Sequence, residues 1–176
     1  TVCSGIGSGF INKKIKIGCS VLGTSGIHIF VDFDKKKIDP SKQLGYTLPI
    51  SGLNANAKMI SNMVASLNTD WLIDIFSNII GDYSDTAIDK EKILEIFEKG
   101  ASKCDPASIF YHPFISPNGE RGPFVNVKAR AQYLGLSTTT STYDLVRALY
   151  EGLAYACRDC YTEFGADLEL LRLTGG

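Results

Sequence analysis

The sequence has 176 residues, 44% of them hydrophobic and 21% charged, and 18 basic side chains nearly balance 19 acidic ones. This composition supports one domain with an apolar core and excludes a disordered chain, while the balanced charge gives no reason to expect nucleic acid as a partner. No apolar run is long enough to span a membrane, and five cysteines in a chain of this length favour a reduced, cytoplasmic location.

The first predicted elements are two strands joined by a tight turn. Apolar and β-branched residues fill 15–22 and 27–33, and Gly23-Thr24-Ser25-Gly26 separates them. A hydroxyl pair between glycines is typical of a turn between antiparallel strands. It can also offer backbone N–H groups and hydroxyls to a phosphate, although the lysine of a P-loop is lacking. His28 lies within the second run, where a core or edge position is expected.

The next segments predict a loop and two short apolar stretches. Residues 34–45 are polar and basic and contain a proline, which indicates a surface loop. Residues 46–50 form a short apolar stretch. Residues 58–65 are a candidate strand, although their periodicity does not settle the assignment.

Helical spacing of apolar residues then predicts helices over 66–80 and 89–99. Trp71 is expected to be a core anchor of the first helix, and Gly81 is expected to end it. Asp89 is a candidate N-cap of the second. The expected apolar stripe of the first helix has members at helical spacing, which Leu72 and Phe76 widen: Leu67, Trp71, Ile75 and Ile79.

The remainder of the chain predicts a strand, a long helix and a closing strand. Residues 109–114 form a short strand candidate, 142–164 form the longest amphipathic helix, and 168–173 form a strand that leads into Thr174-Gly175-Gly176. Strands first, helices between and after them, and a closing strand indicate an α/β or α+β domain. Glycines after a buried strand allow a ligand to approach the backbone, but an ordinary strand-to-helix turn explains this segment better when it is taken alone.

Two pairs of reactive side chains have simple structural explanations. Glu120 and Arg121 lie in a glycine-rich loop, where a structural ion pair that pins the loop is favoured over catalysis or ligand binding. Cys157 and Cys160 lie on one face of a long helix, away from a helix N-terminus that would lower a thiol pKa. No second pair of ligands is at hand to complete a zinc site, so buried apolar roles are expected for both cysteines.

Six segments of the second half follow one another in a distinctive order. They are Tyr111-His112-Pro113-Phe114, Gly119-Glu120-Arg121-Gly122-Pro123-Phe124, Ala129-Arg130-Ala131, Leu134-Gly135-Leu136, Asp144-Leu145-Val146-Arg147-Ala148 and Glu151-Gly152-Leu153-Ala154. Together they resemble the C-terminal domain of the FGGY carbohydrate kinases, and residues 131–151 are similar to the second signature of that family. The second segment and residues 158–161 are most similar to the xylulose and erythritol kinase branch.

The resemblance implies an α/β domain of the actin-like, ribonuclease H-like ATPase type, with a mixed sheet and flanking helices. Residues 1–176 would be the ATP-binding, C-terminal half of a two-domain kinase, incomplete at both ends. The implied reaction transfers the γ-phosphate of ATP, with Mg²⁺, to a hydroxyl of a xylulose-, ribulose- or erythritol-like substrate. That sugar or polyol would be bound mainly by an N-terminal domain, so the fragment is expected to be inactive alone. The family is often dimeric, which makes a homodimer a further expectation.

The resemblance also implies functional residues. Those implied at the phosphate loop, near the phosphates or ribose, and at the adenosine motif are Gly23, Thr24, Ser25, Ser66, Asp70, Gly175 and Gly176. Glu120 and Arg121 would brace the active-site loop. Residues 1–9 resemble those that follow the aspartate general base of the family, so this base is expected immediately before Thr1. No catalytic residue and no metal ligand is therefore expected within the chain.

Two other functions compete with this interpretation. A non-catalytic interaction module on the same actin-like scaffold is the main alternative, because a fold does not by itself establish a function. The phosphate-loop-like turn and the Gly-Gly segment argue against it. A thiol-redox function of Cys157 and Cys160 ranks last.

Overall fold

The computed structural model describes residues 13–33, 44–83 and 89–175. Within these ranges the elements are β1 (Ile17–Leu22), β2 (Gly26–Asp32), β3 (Tyr46–Pro49), β4 (Asn56–Ser61), α1 (Leu67–Tyr83), α2 (Lys90–Ala101), β5 (Phe110–His112), β6 (Gln132–Leu134), α3 (Thr142–Glu163) and β7 (Leu170–Thr174). They form a mixed α/β fold, as predicted. Most of the expected loop over 34–45 lies outside the described residues. None of the helices that the structure describes is both long and apolar enough to cross a membrane.

Five strands form one mixed sheet in the order β3-β4-β2-β1-β7. β1 and β2 are antiparallel, and their register pairs Leu22 with Gly26, so the predicted hairpin turn is confirmed. The segment left unsettled by its periodicity contributes β4, which pairs with β2 and β3. β7 runs parallel to β1, with Thr174 opposite Val21. The carboxyl ends of β1 and β7 therefore lie at the same edge of the sheet.

The long helix α3 joins two packed regions. Its C-terminal half packs on the sheet through a cluster of buried side chains: Phe30, Ile60, Cys157, Cys160, Tyr161 and Phe164. Its N-terminal half contributes Val146 and Leu149 to a second cluster that includes residues of α1, α2 and β5. Gly152 lies against β5, where a Cβ atom would collide with the carbonyl oxygen of Tyr111. A glycine at this position therefore allows α3 to approach β5 closely.

Side-chain caps define where two of the helices begin. The carboxylate of Asp89 accepts the backbone N–H groups of Glu91 and Lys92 at the start of α2, which confirms the predicted N-cap. Ser141 caps α3 in a reciprocal capping box with Asp144. The hydrogen bonds from Ser141 lower the pKa of the Asp144 carboxyl.

The orientation of α1 differs from the prediction. The helix extends to Tyr83, so Gly81 does not end it. Of the expected inward stripe, Leu72 is buried as predicted, whereas Trp71 is 38% exposed and Ile79 is 62% exposed, so the prediction of Trp71 as a core anchor is wrong. The buried side chains lie on an adjacent face: Asn68, Leu72, Ile73 and Ser77. Apolar residues occupy both faces of this helix, and packing against α2 and α3 decides which face is buried.

Candidate functional site

A cavity of about 570 Å³ opens where the ends of β1 and β7 meet the start of α1. At this edge of the sheet its lining residues are Leu22, Ser66, Thr69, Asp70, Thr174 and Gly175. Ligands of open α/β sheets commonly bind beyond the carboxyl ends of the strands, which is where this cavity lies. Three of the residues implied by the resemblance, Ser66, Asp70 and Gly175, therefore line one cavity.

The turn after β1 is attached to the start of α1. The N–H of Ala65 donates to the carbonyl oxygen of Thr24 at 2.9 Å, and the N–H of Ser66 donates to the carbonyl oxygen of Gly23 at 2.9 Å. Gly23, Thr24 and Ser25 do not line the cavity themselves but lie in this adjoining turn. A Cβ on Gly23 would meet nothing within 4 Å, so the space beside its backbone is open.

Gly175 brings the end of β7 against the end of β1. Its φ of 127° lies in a region that favours glycine, and a Cβ there would collide with the carbonyl oxygen of Leu22. The close approach of these two backbone segments therefore depends on the absence of a side chain. Gly176, the other residue implied at the adenosine motif, lies outside the described residues.

The charged side chains that line the cavity are acidic. They are Asp70, Glu98 and Glu120, and no lysine or arginine of the described residues joins them. His28 also lines the cavity, and its burial lowers its pKa and favours the neutral imidazole. An anionic ligand would therefore need a cation to accompany it. In the part of the chain that the structure describes, no group of three or more His, Cys, Asp or Glu residues could hold a metal ion.

A buried hydrogen-bonded chain begins at His28, which is 1% exposed. The amide of Asn62 contacts both the Nε2 atom of His28, through Oδ1 at 2.5 Å, and the carbonyl oxygen of Gly122, through Nδ2 at 2.5 Å. A carbonyl oxygen only accepts, so Nδ2 of Asn62 donates to Gly122 and Oδ1 accepts from His28. The proton of the neutral imidazole is thus on Nε2, and Nδ1 accepts from the hydroxyl of Ser20, 2.9 Å away. The oxygen of Ser20 is in turn 3.0 Å from the hydroxyl of Tyr161 on α3.

Glu120 anchors the glycine-rich loop to the residues that follow β4. The side chain is 4% exposed. Its Oε1 atom accepts the backbone N–H groups of Met63 at 2.7 Å, Arg121 at 2.8 Å and Gly122 at 3.3 Å. The ion pairs between described residues join Asp32 with Lys58, Asp74 with Lys90 and Arg147 with Glu151. The expected ion pair between Glu120 and Arg121 is therefore wrong, although the glutamate does brace the loop.

Cys157 and Cys160 are buried, as predicted, with Cys160 0% exposed. Burial raises the pKa of both thiols, that of Cys160 to about 12. The thiolate that redox chemistry requires is therefore disfavoured at both positions.

Sequence reasoning missed the contributions of Asn62, Glu98 and Tyr150 to this cavity. One sequence feature could have indicated Asn62, because it is a polar residue in a largely apolar segment after β4. No sequence feature distinguishes Glu98 on α2 or Tyr150 on α3, since ordinary helix surfaces contain such residues.

Known proteins are similar to this chain in sequence and in fold. The model of the FGGY family of carbohydrate kinases, C-terminal domain, matches residues 18–176. Erythritol kinase from Brucella abortus (strain 2308) is 34% identical over 97% of this chain, which corresponds to 33% of that protein. The chain therefore spans about a third of the length of this relative.

Solved structures with low sequence identity share the fold. Xylulose kinase from Rhodospirillum rubrum has a TM-score of 0.72 and 20% identity over 96% of this chain and 30% of its own. Xylulose kinase from Lactobacillus acidophilus has a TM-score of 0.69 and 20% identity over 91% of this chain and 30% of its own. These likenesses concern the fold, whereas the family match concerns the sequence itself. On that match, the chain belongs to the FGGY family of carbohydrate kinases, as part of the C-terminal domain.

Proposed function

We propose that this chain is the nucleotide-binding part of a kinase that transfers the γ-phosphate of ATP to a hydroxyl of a sugar or sugar alcohol. The observation that carries the proposal is one cavity at which the start of α1 and the end of β7 meet, with the turn after β1 hydrogen-bonded to the start of α1 beside it. These segments lie far apart in the sequence, and each has a role implied by the family resemblance.

The proposal gives each segment one part of the nucleotide. Gly23, Thr24 and Ser25 would contact the γ-phosphate through N–H groups and hydroxyls, and the open space beside Gly23 supports this assignment. The start of α1 carries a partial positive charge that favours phosphate oxygens, and Ser66 and Asp70 would lie near the phosphates or ribose. Gly175 and Gly176 would pass close to the adenosine.

The acidic lining of the cavity fits a nucleotide that arrives as its Mg²⁺ complex. Mg²⁺ in nucleotide sites is commonly bound by phosphate oxygens, waters and one or two carboxylates, so a full set of protein ligands is not required. Asp70, in the first turn of α1, is the carboxylate that would hold the ion on this side, although the family resemblance implied for it only a position near the phosphates or ribose and implied no metal ligand within the chain. The bound ion would neutralise phosphate charge during transfer.

The proposal places the general base and most of the sugar-binding residues outside these 176 residues. The aligned erythritol kinase extends well beyond the 33% of its length that this chain covers, which leaves room for a second domain. We propose an erythritol- or xylulose-like acceptor. A relative named erythritol kinase is similar in sequence, and a protein named xylulose kinase shares the fold. The glycine-rich loop anchored by Glu120 would border the space between the two domains. Homodimer formation stays a prediction.

Calorimetry with Mg-ATP, followed by turnover assays, tests the proposal. The intact kinase polypeptide should bind ATP in the presence of Mg²⁺ and should release ADP only when a suitable pentose, ketopentose or tetritol is present. A folded protein that binds no ATP would contradict the proposal and favour a non-catalytic interaction module. ATP binding without turnover on any acceptor would contradict the kinase reaction alone.

A further inference from the structure

Two polar side chains line the cavity from α2 and α3, on the side that the phosphate assignment does not use. They are Glu98 and Tyr150. Both also line a groove of about 360 Å³ between these two helices. The pair therefore lies where the cavity and the groove adjoin, on different elements from Ser66 and Gly175.

The hydroxyl of Tyr150 is buried and has no hydrogen-bond partner among the described residues. A hydroxyl that is removed from water without a partner is costly, and such groups call for an explanation. Ser77 on α1 has the other buried hydroxyl of this kind in the described structure, but Ser77 does not line the cavity. The position of Tyr150 at the cavity indicates that a ligand supplies the missing partner.

Apolar side chains line the same cavity beside this pair. Ile73 of α1, Leu94 of α2 and Leu153 of α3 all contribute to the lining. Apolar walls with a few polar groups suit a flat aromatic ring whose hydrogen-bonding groups lie only at its edge. A nucleobase has this form, whereas phosphates and ribose do not.

We infer that Tyr150 and Glu98 recognise the edge of an adenine base, an inference that rests on the proposed nucleotide site. A tyrosine hydroxyl can donate a hydrogen bond, and an ionised carboxylate only accepts them. Adenine has the complementary pair on one edge, because its N1 atom accepts and its 6-amino group donates. Tyr150 therefore donates to N1, and Glu98 accepts from the amino group.

The electrostatic environment of Tyr150 agrees with its role as a donor. Burial, together with the negative charge of Glu98, raises the pKa of the Tyr150 hydroxyl. The hydroxyl accordingly keeps its proton at neutral pH. Both side chains line the same cavity and the same groove, so they lie close enough to act on one ligand.

Paired deletions in the ligand and the protein test the inference. Calorimetry would compare Mg²⁺ complexes of ATP, 1-deaza-ATP, which lacks N1, and purine riboside triphosphate, which lacks the amino group. The intact kinase should bind ATP about three- to tenfold more tightly than either analogue, because each analogue loses one hydrogen bond. Tyr150→Phe should remove only the preference over 1-deaza-ATP, and Glu98→Ala only the preference over purine riboside triphosphate.

Matched variants separate recognition from folding. Ser77→Ala removes the other unpartnered hydroxyl, and Glu95→Ala removes an exposed carboxylate of α2 that does not line the cavity. Both should leave all three affinities unchanged. Tyr150→Phe should keep or raise the melting temperature, because it removes an unsatisfied buried hydroxyl.

The outcomes distinguish this inference from the proposed function. If the intact kinase binds neither ATP nor inorganic tripolyphosphate, the nucleotide site itself is wrong. If ATP binds but both preferences persist in Tyr150→Phe and Glu98→Ala, or if ATP shows no preference over the analogues, only the base-recognition inference is overturned.

Discussion

The two sides of the cavity are built from different parts of the polypeptide. At the sheet edge two backbone segments lie close together, and Gly175 can lie against Leu22 only because it has no side chain. On the α2–α3 side the surface consists of side chains, among them Glu98 and Tyr150, that project from regular helices. A close approach of two backbone segments requires a residue without a side chain. Helix side chains that line a cavity can be substituted more freely, and a substitution there mainly changes which ligand is bound.

The largest effect is expected where a side chain supports the backbone of the loop beside the cavity. Glu120→Ala leaves the N–H groups of Met63, Arg121 and Gly122 without their acceptor. The free energy of unfolding should fall by about 3 kcal/mol, measured by urea denaturation. Glu120→Gln, which retains one acceptor oxygen, is the control and should lose clearly less. Equal stability of the wild-type protein and Glu120→Ala would show that the loop does not depend on this carboxylate.

A smaller but substantial loss is expected from Gly175→Ala. The added Cβ would collide with the carbonyl of Leu22 and would occupy a φ that disfavours side chains. The free energy of unfolding should fall by about 2 kcal/mol, and the affinity for Mg-ATP should fall with it. Gly23→Ala is the matched control for stability alone, because a Cβ there meets open space. If both variants were equally stable, the close approach of β7 and β1 would not require glycine.

Thr24→Val tests whether the turn acts on the transferred phosphate. In the intact kinase this change should lower kcat about tenfold and raise KM for the sugar less, because a contact that strengthens in the transition state is lost. Ser77→Ala, which removes a buried hydroxyl away from the cavity, should leave both constants unchanged. A change in KM alone would mean that Thr24 contributes only to ground-state binding.

The smallest effect is a pH dependence that originates at His28. Burial lowers its pKa in the folded protein below the ordinary value of 6.5, so the unfolded chain binds a proton first as the pH falls. The stability that His28 contributes is therefore fully present well above pH 6.5 and should fall as the pH is lowered from about 7.5 to about 5.5. Urea denaturation at both pH values checks this. His28→Gln should reduce this pH dependence.

Local patterns predicted β1, β2, β5 and β7, the hairpin turn and the N-cap of α2, because these features depend on residues close together in the chain. The glycines around Thr24 and Ser25 predicted the turn, and Asp89 predicted the start of α2. The family resemblance identified the second half, since its motifs are short and continuous. These features involve backbone conformation, which leaves a signature in residue type.

Only the tertiary structure decided which face of α1 is buried and which side chains share the cavity. Trp71 and Leu72 both belong to the expected apolar stripe, and only the packing of α2 and α3 decides that Leu72 is buried and Trp71 is exposed. The pairing of β7 with β1 places Gly175 against Leu22 across a large separation in sequence. The sequence by itself thus determined most of the elements and the family, because their signals are local, whereas β6 was not predicted and the segment of β4 was left unsettled. The cavity required the fold, because long-range packing brings its residues together.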